Sequence, residues 1–194
     1  MILSRALLQT PVGEMLALDS GERLCALEFT GPEKRLVGLE ARLRRWFPPH
    51  EIVDGETPTI ARARAWLDGY FAGVSADISG LSLDMRGADF EKRVWEALRR
   101  IAPGETTSYG AIAKALGSAG ASRAVGAANG ANPIAIVVPC HRVIGASGSL
   151  TGYGGGLDRK MWLLDHERRH WPAKGKEQRA TGRGEGQGSL FTGP

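Results

Sequence analysis

The sequence predicts an α+β protein: a small antiparallel sheet with covering helices over residues 1–86, then a mostly helical unit containing a helix-turn-helix over residues 87–171. Three observations carry this. Apolar and polar residues alternate through the first thirty positions, apolar residues next recur every three to four, and further on two short helical stretches flank a turn containing glycine.

Ile2 to Gln9, Glu14 to Asp19 and Arg23 to Thr30 read as strands joined by turns at Thr10-Pro11-Val12-Gly13 and Ser20-Gly21. Proline presets φ for a turn and glycine supplies positive φ. Cys25 falls in the third strand, a packing position. Leu36, Leu39, Leu43 and Phe47 give a helix from Glu33 to Phe47, and Ile60, Ala63, Trp66, Leu67 and Tyr70 give another that ends before Gly73. Breaks at Ser79-Gly80 and Arg86-Gly87 close the first unit. From Asp89 the residues Phe90, Val94, Leu98 and Ile101 share one helical face, and Pro103-Gly104 stops it. Thr107-Ser108 can cap a helix from Tyr109 to Leu116, Gly117 to Ala121 makes the turn, and Ser122 can cap a second helix to about Gly130. Beyond Trp171-Pro172 the only apolar pair is Leu190-Phe191, so residues 172–194 read as a disordered tail, with too little apolar surface to offset chain entropy.

At 194 residues and 42% hydrophobic content, the chain suits one large unit or two small ones with a shared core. No apolar run is long enough to cross a bilayer, and Arg5, Gln9, Pro11, Gly13 and Glu14 interrupt the N-terminus, which defeats a signal-peptide reading. A cytoplasmic location without membrane contact is therefore expected. Cys25 and Cys140 have no paired spacing, so reduced thiols are expected too. A net charge of +4 is compatible with nucleic acid, and Arg93, Arg99, Arg100, Lys114, Arg123 and Arg142 all lie in the second unit, arginine being suited to phosphate through its planar fork.

The chemistry centres on Pro139-Cys140-His141-Arg142, between the apolar run Ile134 to Val138 and Val143-Ile144. Cysteine is the side chain that is appreciably nucleophilic unaided near neutral pH, and a neighbouring imidazole raises its thiolate fraction. Alone, Cys140 would read as a small buried hydrophobe. It is accompanied by Asn132-Pro133, by Gly152-Tyr153-Gly154-Gly155-Gly156 and by Trp162-Leu163-Leu164-Asp165-His166-Glu167. Together these motifs resemble the active-site half of the O6-alkylguanine-DNA alkyltransferases, from about Phe90 to Glu167.

The resemblance implies a ribonuclease-H-like first unit and a single-turnover DNA-repair enzyme that needs no cofactor. Cys140 would accept the alkyl group from O6-alkylguanine, with O4-alkylthymine left open as a second substrate. His141 would take the thiol proton through a water, Glu167 would orient the imidazole, and Asn132 would hold the segment beneath the cysteine. Tyr109 would lie against the target nucleotide and donate to the leaving base. Val143, Tyr153, Gly154 and Gly155 would form the pocket, with the carbonyls near Cys140 and Val143 accepting from the guanine amino group. Gly154 and Ala135 stand where relatives can carry Ser and Pro, which leaves pocket width open. DNA would be bound from the minor groove by a monomer, with the nucleotide flipped out, Arg123 entering the stack, and Ala121, Ser122, Ala124 and Gly126 allowing close backbone approach. Some animal members of that family bind a structural zinc near the N-terminus, but only Cys25 and the distant His50 are available there in this sequence, so no metal site is expected.

Two rivals remain. His166-Glu167-Arg168-Arg169-His170 satisfies the H-E-x-x-H pattern of a zinc protease, but it runs into Trp171-Pro172 and has no evident third ligand. A non-catalytic helix-turn-helix binder or lesion sensor is the other. Such sensors lack the acceptor thiol, and Ala124 to Ala128 offers no donors for base edges.

Overall fold

The computed structural model describes residues 1–173 apart from Pro32. The tail expected from residue 172 onward therefore falls almost wholly outside the described residues.

The predicted meander is present as β1 (Ile2–Leu8), β2 (Met15–Asp19) and β3 (Leu24–Phe29), antiparallel throughout, with Ala6 opposite Ala17 and Ala17 opposite Leu27. The first turn closes by Gly13 N–H donating to the Thr10 carbonyl at 3.0 Å, with Gly13 at φ +111°. That backbone favours glycine. Helix α1 (Glu33–Trp46) then carries the chain across to a fourth strand, β4 (Glu51–Asp54), which lies parallel to β1 in the order β3-β2-β1-β4. The sheet is thus mixed rather than wholly antiparallel. Four residues are too few for alternation to register as a strand, and the pairing is made across the chain by Glu51 N–H donating to the Met1 carbonyl at 3.0 Å. Helix α2 (Pro58–Phe71) starts at Thr57, whose hydroxyl accepts from Ile60 N–H at 3.2 Å, with Pro58 in the first turn.

Every residue of β3 is buried. Its open edge is taken by two later segments. Leu24 N–H donates to the Ser82 carbonyl, and Leu27 exchanges hydrogen bonds with Pro133 (2.9 Å) and Ala135 (2.7 Å). The stretch leading to Cys140 is therefore stitched onto the N-terminal sheet, and the buried apolar residues of both units form one continuous cluster.

In the second unit α3 (Asp89–Arg99) buries Val94, Trp95 and Leu98, and the Trp95 indole N–H donates to the Ala128 carbonyl at 2.8 Å. A short parallel pair joins β5 (Thr107–Ser108), just before the helix-turn-helix of α4 (Tyr109–Ala115) and α5 (Ser122–Gly130), to β6 (Val143–Ile144), which follows it. Ser108 caps α4 as expected, accepting from Ala111 N–H at 3.1 Å. Ser122 does not cap α5. It is the first helical residue, because the turn closes one residue earlier by Ala121 N–H donating to the Ser118 carbonyl and leaves Ala121 at the cap. The last helix, α6 (Leu157–His170), ends beside Trp171.

Candidate active site

Cys140 is presented by two consecutive tight turns. Val137 N–H donates to the Ala135 carbonyl at 2.8 Å across Ile136, which has φ +68°, and Cys140 N–H donates to the Val138 carbonyl at 2.8 Å across Pro139, at φ −82° and ψ 63°. Both are γ-turns, and the positive-φ form on a β-branched residue costs roughly 1–3 kcal/mol. The turns persist because Asn132 grips them. Its Nδ2 donates to the carbonyls of Val138 (2.8 Å) and Ile134 (3.4 Å) and to Sγ of Cys140 (3.1 Å), while its Oδ1 accepts from Ile134 N–H at 3.0 Å. Asn129 adds a bond from Nδ2 to the Cys140 carbonyl at 3.3 Å.

Cys140 opens a one-turn 3-10 helix, Cys140–Arg142, which sends His141 and Arg142 toward α6. There Glu167, fully buried, accepts from His141 Nε2 (2.8 Å), the Tyr70 hydroxyl (2.7 Å), Gly104 N–H (3.2 Å) and the Arg142 guanidinium. Arg142 binds as a fork, Nε to Oε2 at 2.9 Å and Nη2 to Oε1 at 2.8 Å, and Nη1 donates to the Ile101 carbonyl. Burial alone would push the Glu167 carboxyl up; His141 and Arg142 outweigh it and hold the carboxyl far below the usual range. Since an ionised carboxylate only accepts, His141 must carry its proton on Nε2. Its Nδ1 lone pair is left buried with no partner among the described residues.

This arrangement corrects two expectations. Arg142, grouped with phosphate-binding cations by sequence, is 6% exposed and committed to Glu167. The thiol, expected to ionise readily, is instead pushed up by burial, opposed by the Asn132 amide and the charges of Arg35 and Lys160. His141 is likewise held below its ordinary value by burial, with Glu167 pulling the other way. The resting pair is thus neutral thiol and neutral imidazole.

Sγ faces a cavity of about 230 Å³ lined by Cys140, Ala135, Gly126, Tyr153, Gly154 and Gly155, and also by Glu28 and Arg35 of the first unit. Those two were not singled out from sequence. Arg35 donates to the Glu28 carboxylate and to the Gly130 and Asn132 carbonyls, so α1 helps hold the end of α5. Lys160, also missed, is fully buried and donates to the carbonyls of Val143 (2.6 Å) and Thr151 (2.7 Å). The Cys140 carbonyl thus already accepts from Asn129 Nδ2 and from Val143 N–H, and the Val143 carbonyl from Lys160. Tyr153 stands edge-on to His141 at 6.4 Å, its buried hydroxyl without a partner among the described residues.

Tyr109 begins α4 and packs across Gly126, where a Cβ would sit 3.8 Å from its ring; Thr151 Oγ1 lies 3.5 Å from its hydroxyl. Ala121 and Ser122 are half-buried at the turn into α5, and Arg123 and Ala124 are exposed at its start. Among the described residues the Arg123 guanidinium takes part in no side-chain hydrogen bond or ion pair. The H-E-x-x-H residues diverge. Glu167 faces the thiol segment, whereas His166 stacks on Trp162 at 5.0 Å and bonds the Tyr70 carbonyl at 2.8 Å, with His170 beside it.

These buried groups make stability depend on pH. The Glu167 contribution is present above the ordinary carboxyl range and is lost as pH falls from about 4.3 toward its depressed value. Keeping His141 neutral against an unfolded chain that protonates near 6.5 costs stability below about pH 6.5. Cys140, and Cys25 pushed up to about 12 by burial and by Asp84 and Asp19, cost stability above about pH 8.5, where unfolded thiols ionise. Thermal melts are expected to give a maximum between those limits. A melting temperature still rising above about pH 9 would contradict the buried thiols.

A family model described as 6-O-methylguanine DNA methyltransferase, DNA binding domain, matches residues 89–169. A methylated-DNA--protein-cysteine methyltransferase of Mycobacterium leprae is 45% identical over 163 residues, spanning 83% of this chain and 90% of that protein. A protein of the same name from Mycolicibacterium paratuberculosis is 65% identical over 114 residues, 59% of this chain and 68% of its own. Among solved structures, that of Mycobacterium tuberculosis OGT in complex with DNA superposes with a TM-score of 0.72 at 42% identity, covering 89% of this chain and 96% of the other. With likeness running through both units, the chain belongs to the methylated-DNA--protein-cysteine methyltransferase family.

Proposed function

We propose that this protein repairs DNA by moving the alkyl group from O6 of guanine to Sγ of Cys140, once per molecule. The observation that carries the reading is a thiol on a cavity of about 230 Å³ with a neutral, Glu167-oriented imidazole directly behind it in sequence. In the resting state Sγ keeps its proton. When substrate enters, that proton passes through a water to Nδ1 of His141, and the imidazolium is stabilised by Glu167. Sγ then attacks the alkyl carbon in line; the S–C bond forms, the C–O6 bond breaks, and guanine departs, its developing charge met by a proton donated by Tyr109, which regains one from solvent. The thioether is not hydrolysed under mild conditions, so each molecule acts once. No step calls for a cofactor.

A base within a duplex is out of reach of a buried thiol, so the nucleotide must be flipped out, at a cost of a few kcal/mol in stacking. Arg123, exposed at the start of α5, fills the gap in this reading, and the small residues Ala121, Ser122, Ala124 and Gly126 let the helix settle in the minor groove. Residues 87–171 carry the chemistry, and residues 1–86 support it through the β3 edge. Two unpaired buried cysteines suit a reducing compartment, the cytoplasm, and one copy supplies every group the reaction needs.

The test is to incubate the protein with a duplex bearing one O6-methylguanine and to weigh intact protein and peptides. One methyl group on the Cys140 peptide is expected, with repaired DNA levelling off at one per protein. An unmodified mass, or continued turnover, would remove the proposal. Binding is expected to weaken steeply with salt and to be indifferent to undamaged sequence.

A further inference from the structure

Gly152, Tyr153, Gly154 and Gly155 form one wall of the Cys140 cavity. A backbone so rich in glycine has little shape of its own. It must be held from outside, and the holder is Arg159, in the first turn of α6. Its Nη1 donates to the Gly155 carbonyl at 2.8 Å, and its Nε donates to the Val12 carbonyl at 2.6 Å, in the turn between β1 and β2. The guanidinium carbon lies 4.8 Å from the centre of the Phe29 ring. The fit depends on two glycines of the first unit, since a Cβ on Gly13 or Gly31 would come within 2.9 Å or 3.3 Å of Nη2. Phe29 completes the brace. A Cβ on Gly155 would be 2.7 Å from its ring, and the ring stands edge-on to Tyr153 at 6.3 Å.

We propose that Arg159 is a positioning residue that sets which alkyl groups the site accepts, by fixing the glycine wall at a defined distance from Sγ. This rests on the alkyl-transfer reading above. A methyl group needs no movement of the wall, and a braced wall holds the purine in line with the thiol. A benzyl group needs the wall to give way, and the fork between Gly155 and Val12 resists that. Lysine cannot replace the fork, because a single ammonium on a flexible stem does not hold two carbonyls in one plane.

The experiment compares single-turnover rate constants for duplexes identical except for O6-methylguanine or O6-benzylguanine, using the full chain and its Arg159→Met and Arg159→Lys variants. For Arg159→Met the benzyl-to-methyl ratio is expected to rise by roughly three- to tenfold, the scale of a charge-assisted hydrogen bond partly lost. Arg159→Lys should fall between. An unchanged or lower ratio, even with both rates reduced, overturns the inference, because a merely structural role slows both substrates alike. Should Arg159→Met fail to fold, the lysine variant decides by the same ratio. No transfer by the unaltered protein from either duplex would overturn alkyl transfer itself, and this inference with it.

Discussion

Cys140→Ser is expected to abolish alkyl transfer while leaving the fold and the affinity for lesion-bearing DNA in place. Serine Oγ can accept from Asn132 Nδ2 as Sγ does at 3.1 Å, so the turns of the 132–142 segment keep their anchor. A hydroxyl is a far weaker acid than a thiol, however, and neutral His141 cannot ionise it. Loss of a nucleophile of this kind costs on the order of 10⁵-fold or more, below detection in a mass assay. Cys25 offers no substitute, being fully buried in β3 with its thiol pushed up to about 12. The measurements are intact mass after incubation with methylated duplex, and fluorescence anisotropy with the same duplex. Methyl transfer by the variant, at Cys25 or elsewhere, would mean that the acceptor has been misidentified.

Glu167→Gln should be the most damaging conservative change in the molecule. The carboxylate serves four donors at once, and replacing it by a neutral amide leaves the Arg142 cation 6% exposed with no counter-charge. Removing one partner of such a buried pair costs roughly 3–5 kcal/mol, which for a chain of this length lowers the melting temperature by on the order of 10 °C. The catalytic effect has a separate cause. An amide can turn its NH₂ toward Nε2 of His141, which selects the tautomer protonated on Nδ1 and removes the lone pair that takes the thiol proton. A loss of roughly a hundredfold or more in transfer rate is expected, as for other bases with their orienting carboxylate amidated. A variant that melts with the parent and transfers at the parental rate would show that Glu167 neither balances Arg142 nor orients the imidazole.

The two losses also separate experimentally. Raising pH cannot rescue the ion pair, but it increases the thiolate fraction without help from the base. The Glu167→Gln rate should therefore recover in part toward alkaline pH while its melting temperature does not.

Much of this protein is legible in one dimension because the relevant signals are local. The meander of β1 to β3 follows from alternation and two turns, the helix-turn-helix from Ser108, Gly117 and the spacing of small residues, and the Cys140-His141 pair is adjacent in the chain. Even the function of Asn132 as an anchor lies within eight residues of the sulfur it touches. What the three-dimensional fold alone decided are contacts between distant positions. Tyr70 meets Glu167 across 97 residues, Arg35 reaches Asn132 across the same separation, and Arg159 bonds Val12 across 147. No periodicity or motif marks such partners, since an arginine in a helix looks alike whether it faces solvent or a carbonyl. The same blindness explains why Arg142 was grouped with phosphate-binding cations and why the thiol was expected to ionise easily. Charge and pKa depend on burial, and burial is a property of packing, which brings the first unit over the second and closes the cavity on the Cys140 sulfur.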